Sequence, residues 1–107
     1  MLYDIDDIKR INRYKGGHFF EPKTMRFFDS RVLSTVYQGP GGVYFLTSER
    51  FHGSTVTGPR LYTVRYFNPE TGDCGTLNGV YNELTKTAAV RIAEAAAAVP
   101  IAEAVGA

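Results

Sequence analysis

The densest run of chemically capable side chains extends from His18 to Arg31, where His18, Lys23, Arg26 and Arg31 alternate with Phe19, Phe20, Phe27 and Phe28 around Pro22. Cations set beside aromatic rings suit single-stranded nucleic acid or a flipped base, because every base offers a π-face and every phosphate a negative charge. The same composition suits a protein hot spot, in which aromatic residues and arginine concentrate. It is equally what a core segment looks like if the four Phe turn inward and His18 and Arg26 cap the chain by hydrogen bonding. A histidine beside arginines also has the groups needed to cleave RNA by acid–base chemistry.

Other chemistries find less support. His18, His52 and Cys74 are the candidate metal ligands, and none falls in a spacing such as C-x-x-C or H-x-x-x-H. Nucleophilic catalysis through Cys74 needs a base and an orienting group, and Cys74 follows a turn with no local signature of either. Asp6 and Asp7 are paired carboxylates at a helix start, where the helix dipole already accounts for them. The run Gly39-Pro40-Gly41-Gly42 and Gly72 lie in turns between strands, whereas a phosphate cradle aims consecutive N–H groups and a helix start at its ligand. Neither a metal nor any other cofactor is implied.

The charge is unevenly spread. Lys9, Arg10, Arg13, Lys15, Lys23, Arg26 and Arg31 face only Glu21 and Asp29, so this segment carries +5 within a chain of net charge +1. A local basic surface can hold a polyanion when total charge is near zero. A solvated face of mixed charge gives the same count. Lys9, Arg13, Lys15, His18, Lys23, Arg26 and Arg31 are therefore the candidate contacts to nucleic acid or another partner, joined by Arg65 if its sheet face is open.

These residues need a scaffold. A chain of 107 residues with 44% hydrophobic content fits one domain. With one cysteine, no apolar leader among the first ten residues and no apolar run longer than Ala95 to Val99, it reads as a cytoplasmic protein without a membrane partner. Ile5, Ile8 and Ile11 recur every three residues, so a short amphipathic helix is predicted over Asp6 to Tyr14, capped by Asp4 or Asp6 and stopped by Gly16-Gly17. Pro22 suits the first position of a helical turn ending near Phe27. Arg31 to Gln38 and Gly42 to Arg50 read as a hairpin. His52 to Pro59 reads as a polar loop, and Leu61 to Asn68 as a strand with Tyr62, Val64 and Tyr66 on one face. Pro69 to Gly72 forms a turn, and Cys74 to Tyr81 offers a short fourth strand. Thr85 caps a final helix over Lys86 to Val99, with Ala89, Ile92, Ala93, Ala96 and Val99 as its apolar stripe and a frayed tail beyond Pro100. The expected fold is α+β, in the order α-β-β-β-(β)-α. Its antiparallel sheet has three or four strands, and the C-terminal helix packs on one face with Tyr62, Val64 and Tyr66 against Ala89, Ile92 and Ala96.

The run Gly16-Gly17-His18-Phe19-Phe20, Pro22, Thr24-Met25-Arg26-Phe27-Phe28, Ser30-Arg31 resembles a family of short uncharacterised proteins of phages, plasmids and other mobile elements. The segments Val43 to Arg50 and Arg60 to Arg65, and the alanine-rich helix, continue the likeness over roughly Lys15 to Ala98. No catalytic residue follows from it. What it implies is an accessory protein of a phage or mobile element in a bacterial cytoplasm. The order α-β-β-β-α is also similar to the double-stranded-RNA-binding domain, although only Lys86 is basic where that family places several lysines. The strands and final helix are similar as well to small three-stranded DNA-binding domains of integrases.

The function expected is a non-enzymatic binding module of a mobile element that holds nucleic acid weakly through its basic, Phe-rich segment. A small inhibitor of a host system, such as an anti-CRISPR-like protein acting on a defence complex, is the alternative, and a small nuclease the third.

Overall fold

The computed structural model describes residues 2–26, 30–50, 60–77 and 85–99, with Arg26 described by its backbone alone. Helix α1 spans Ile5–Tyr14 and helix α2 spans Pro22–Arg26. Four strands follow, β1 (Arg31–Gly39), β2 (Gly42–Glu49), β3 (Leu61–Phe67) and β4 (Cys74–Thr76), and then helix α3 (Lys86–Ala98). The strands pair in sequence order, each antiparallel to its neighbour. The fold is thus the expected α+β arrangement with four strands. The loop expected over 52–59, the pair Phe27-Phe28, the far end of the fourth strand and the tail after residue 99 lie outside the described residues.

Asp4, rather than Asp6, caps α1. Its Oδ1 accepts from the Asp7 N–H at 2.8 Å, while Asp7 Oδ2 accepts from the Asp4 N–H at 3.1 Å, a reciprocal capping box. That backbone donor, with Arg10 second, holds the Asp7 carboxyl below its ordinary range. A depressed carboxyl stabilises the cap above its unfolded pKa and loses that contribution as pH falls through the lowered value. At the other end of the chain, Thr85 caps α3 by accepting from the Ala88 N–H at 3.1 Å.

The strand alternation sorts side chains onto two faces, and both are covered. On one, Leu46 and Val64 are buried against Ala89 and Ala93, with Tyr62 and Ile92 at the margin. On the other, Val43, Phe45 and Phe67 are buried against Ile8 of α1, with Ile5, Ile11, Phe19 and Phe20 packed around them. The register aligns Leu46 with Val64 and Phe45 with Arg65, which sends each pair to opposite faces. The expectation of an open sheet face at Arg65 is therefore corrected: the N-terminal segment roofs it. A three-layer domain results, because a half-covered sheet of this size would leave Phe45, Val43 and Phe67 in water.

A second correction concerns α3. Its buried residues are Ala89, Ala93 and Ala97, spaced four apart, while Ile92 and Ala96 are half-buried and Val99 is exposed. Tyr66 is not part of the core beneath the helix: it is 39% exposed and its ring lies over Gly75. The last turn of α3 is seated instead by the β1–β2 turn, where the Gly41 N–H donates to the Ala97 carbonyl at 2.9 Å. A methyl group on Gly41 would overlap the carbonyl oxygens of Ala96 and Val99. Gly41→Ala is expected to destabilise the domain by about 1–3 kcal/mol through this overlap. In a calorimetric scan the midpoint should fall by roughly 5–20 °C. An unchanged midpoint would show that the helix end does not rest on this turn.

Candidate functional site: the basic end of the first helix

Helix α1 divides its charges along its axis. Asp4, Asp6 and Asp7 occupy its start, and Lys9, Arg10, Arg13 and Lys15 its second half and C-cap. Cations near a helix C-terminus also complement the partial negative charge there. Ile5, Ile8, Ile11 and Asn12 turn to the sheet, which leaves Arg10, Arg13 and Lys15 exposed and Lys9 half-buried. Lys9 and Arg13 stand one turn apart on the same side. Arg10 is held by Asp7 at 2.8 Å. Arg13, Lys15 and Lys23 are exposed, and none forms an ion pair among the described residues.

The remaining candidates divide between surface and interior. His18 is 75% exposed, with Nδ1 at 2.6 Å from Glu21 Oε1. Lys23 and the Arg26 backbone belong to α2, and Arg31 opens β1 with its side chain exposed. Phe19 and Phe20 face inward. They meet edge to face at 4.9 Å and close on Phe45 at 5.9 and 5.7 Å. They anchor the segment in the core and leave its cations outside.

Arg65 is the exception among the cations. Its guanidinium lies 5.3 Å from the Phe19 ring centre, Nε donates to Thr47 Oγ1 at 3.0 Å, and Nη1 donates to Thr76 Oγ1. Nη2 reaches Glu49 Oε1 at 3.8 Å, and Thr63 Oγ1 donates to the same oxygen at 2.6 Å. Burial pulls the Arg65 pKa below its ordinary value, with Glu49 opposing. Arg65 thus belongs to a buried polar network rather than to a binding surface. Glu49, 2% exposed, was missed in the sequence. Its signal was there: Val43, Phe45, Thr47 and Glu49 share one face of β2, so a charged residue in phase with core residues required an internal partner. Among the described residues Glu49 Oε2 has no hydrogen-bond partner.

Cys74 is half-buried beside this network. Burial pushes its thiol up to about 12, with the Asp73 carboxylate adding to the shift and Arg65 opposing it. A thiol held protonated at neutral pH is a poor nucleophile. Among the described residues no three His, Cys, Asp or Glu side chains converge as metal ligands, and His52 lies outside them. No described helix is long and apolar enough to cross a membrane.

A separate cleft of about 730 Å³ opens where the β1–β2 and β3–β4 turns meet, lined by Tyr3, Tyr44, Tyr66, Phe67 and Leu77. Among the described residues Glu70 is the one charged side chain in its lining, so they add nothing there to the basic surface.

No curated protein and no solved structure is significantly similar to this chain. A family model does match, over residues 4–95, and so takes in α1, α2, all four strands and most of α3. The chain belongs to that family, the family of unknown function DUF7447.

Proposed function

We propose that the protein is a non-enzymatic nucleic-acid-binding module, acting as an accessory protein of a phage or mobile element. The observation that carries this reading is the group Lys9, Arg13 and Lys15 at the C-terminal half of α1, held on a helix whose other side is locked to the sheet. Lys23 of α2 is a further exposed cation from the same covering layer. Arg65 is not part of it. Phosphates need cations that are solvated when free and not already paired, because an internal ion pair must be broken before a phosphate is gained. With three or four such cations, binding is weak, steep in salt and tolerant of sequence.

Fluorescence anisotropy with labelled oligonucleotides at low salt tests this. The slope of log affinity against log salt is expected at about −2 to −3.6, at roughly −0.7 to −0.9 per phosphate neutralised. The double variant Arg13→Glu, Lys23→Glu should abolish binding while changing stability by under about 1 kcal/mol, since both residues are exposed and form no ion pair among the described residues. Absence of binding to every oligonucleotide would reject the reading.

A second reading, an inhibitor that grips a host protein, is favoured by the aromatic cleft around Tyr44 and Tyr66. Binding through apolar contacts there would be nearly indifferent to salt, so the same titration separates the two.

A further inference from the structure

We infer that the nucleic acid is single-stranded and that one of its bases stacks on Tyr14; this rests on the nucleic-acid reading above. Tyr14 is 86% exposed, the most exposed of the large hydrophobic side chains among the described residues, above Leu2 at 80% and Val99 at 46%. It stands in the last turn of α1, pointing away from the sheet. Arg10 lies one turn before it, and Arg13 and Lys15 are its neighbours in the chain. An aromatic ring is therefore presented outward on the helix face of Arg10, with Arg13 and Lys15 to either side of it along the chain.

The frame beneath the ring is rigid. Asn12, 3% exposed, donates from Nδ2 to the Gly72 carbonyl of the β3–β4 turn at 2.8 Å. The Gly17 N–H donates to the Asn12 carbonyl at 2.8 Å, and the Lys15 N–H to Ile11 at 3.0 Å. The Lys15 stem lies over Gly72, where a Cβ would come within 2.7 Å of Lys15 Cβ. Arg13, Tyr14 and Lys15 thus project from a helix end that is tied to the β3–β4 turn, so little backbone freedom is lost when a ligand meets them.

The preference for a single strand follows from geometry. In a duplex both faces of each base are already stacked, and an outward tyrosine meets only the sugar–phosphate edge. In a single strand the bases are free to leave one another and lie on a tyrosine ring, while the phosphates on either side reach the flanking Arg and Lys. The acidic residues Glu70 and Asp73 on the adjoining turn bound the surface on one side and discourage a second phosphate chain there.

The test uses a labelled oligothymidine and a duplex of equal length, titrated by anisotropy with the full chain and with Tyr14→Ala, Tyr14→Phe and Arg13→Glu. Tighter binding of the single strand is expected. Tyr14→Ala should weaken it by roughly 5- to 100-fold. Tyr14→Phe should retain it, and Tyr14→Ala should leave duplex binding unchanged. Intrinsic tyrosine fluorescence should be quenched by oligothymidine in the wild type and much less in Tyr14→Ala. Arg13→Glu should weaken both ligands. Thermal unfolding of each variant by circular dichroism confirms that an exposed side chain has been changed without loss of fold. Equal affinity for both ligands, or a single-strand affinity untouched by Tyr14→Ala, overturns the stacking inference and leaves the nucleic-acid reading standing. No binding of either ligand overturns both.

Discussion

Replacing Arg65 with methionine is expected to cost about 3 kcal/mol of stability, because it strands Glu49 as a buried carboxylate without a counter-charge. Glu49 is 2% exposed and sees Arg65 Nη2 at 3.8 Å, while Thr63 Oγ1 donates to its Oε1 at 2.6 Å. Arg65 also satisfies Thr47 and stacks against Phe19, so its removal withdraws packing as well as charge. For a domain whose total stability is about 5–15 kcal/mol, this is a substantial share. Urea unfolding of three chains checks it: wild type, Arg65→Met, and Arg65→Met with Glu49→Gln. The second change removes the stranded charge while keeping an acceptor for Thr63, so the double variant should recover at least half of the loss. A single variant within about 1 kcal/mol of wild type would show that Glu49 does not depend on Arg65. Equal instability of single and double variants would assign the cost to lost packing alone.

The second large effect belongs to Phe45→Ala, expected to destabilise by about 3–5 kcal/mol. Phe45 is fully buried in the layer between the sheet and the N-terminal segment, where Phe19 and Phe20 close on its ring and Ile8 belongs to the same core cluster. Deleting the ring leaves a cavity that two half-buried Phe residues can only partly fill. Amide exchange around Phe19 and Phe20 should quicken more than in α3, which packs on the opposite face. Urea unfolding reads the first effect and hydrogen exchange the second. A loss below about 1.5 kcal/mol, or exchange that quickens equally on both faces, would mean that the N-terminal segment does not depend on Phe45 for its seat.

The secondary-structure elements are legible in the residues themselves. The isoleucine spacing of α1, the alternation of β2 and β3, the glycine turn between β1 and β2 and the Thr85 cap of α3 are local signals, set by backbone geometry and by residues a few positions apart. The helix began at Ile5 instead of Asp6 because Asp4 and Asp7 cap each other, a detail within the same local pattern. The tertiary structure decided which surfaces exist. Alanine surrounds much of α3, so its periodicity was too weak to choose a stripe, and the seat offered by Gly41 set Ala97 inward and Val99 outward. The Phe-rich segment could equally have been core or surface, and it was Phe45, far along the chain, that drew Phe19 and Phe20 in. Once that segment covered the second sheet face, Arg65 and Glu49 became an internal pair and Tyr14 was left outside among cations. Alternation states only that two residues point to opposite sides of a sheet; whether a side meets water depends on what distant chain lies over it, and that is a matter of long-range packing.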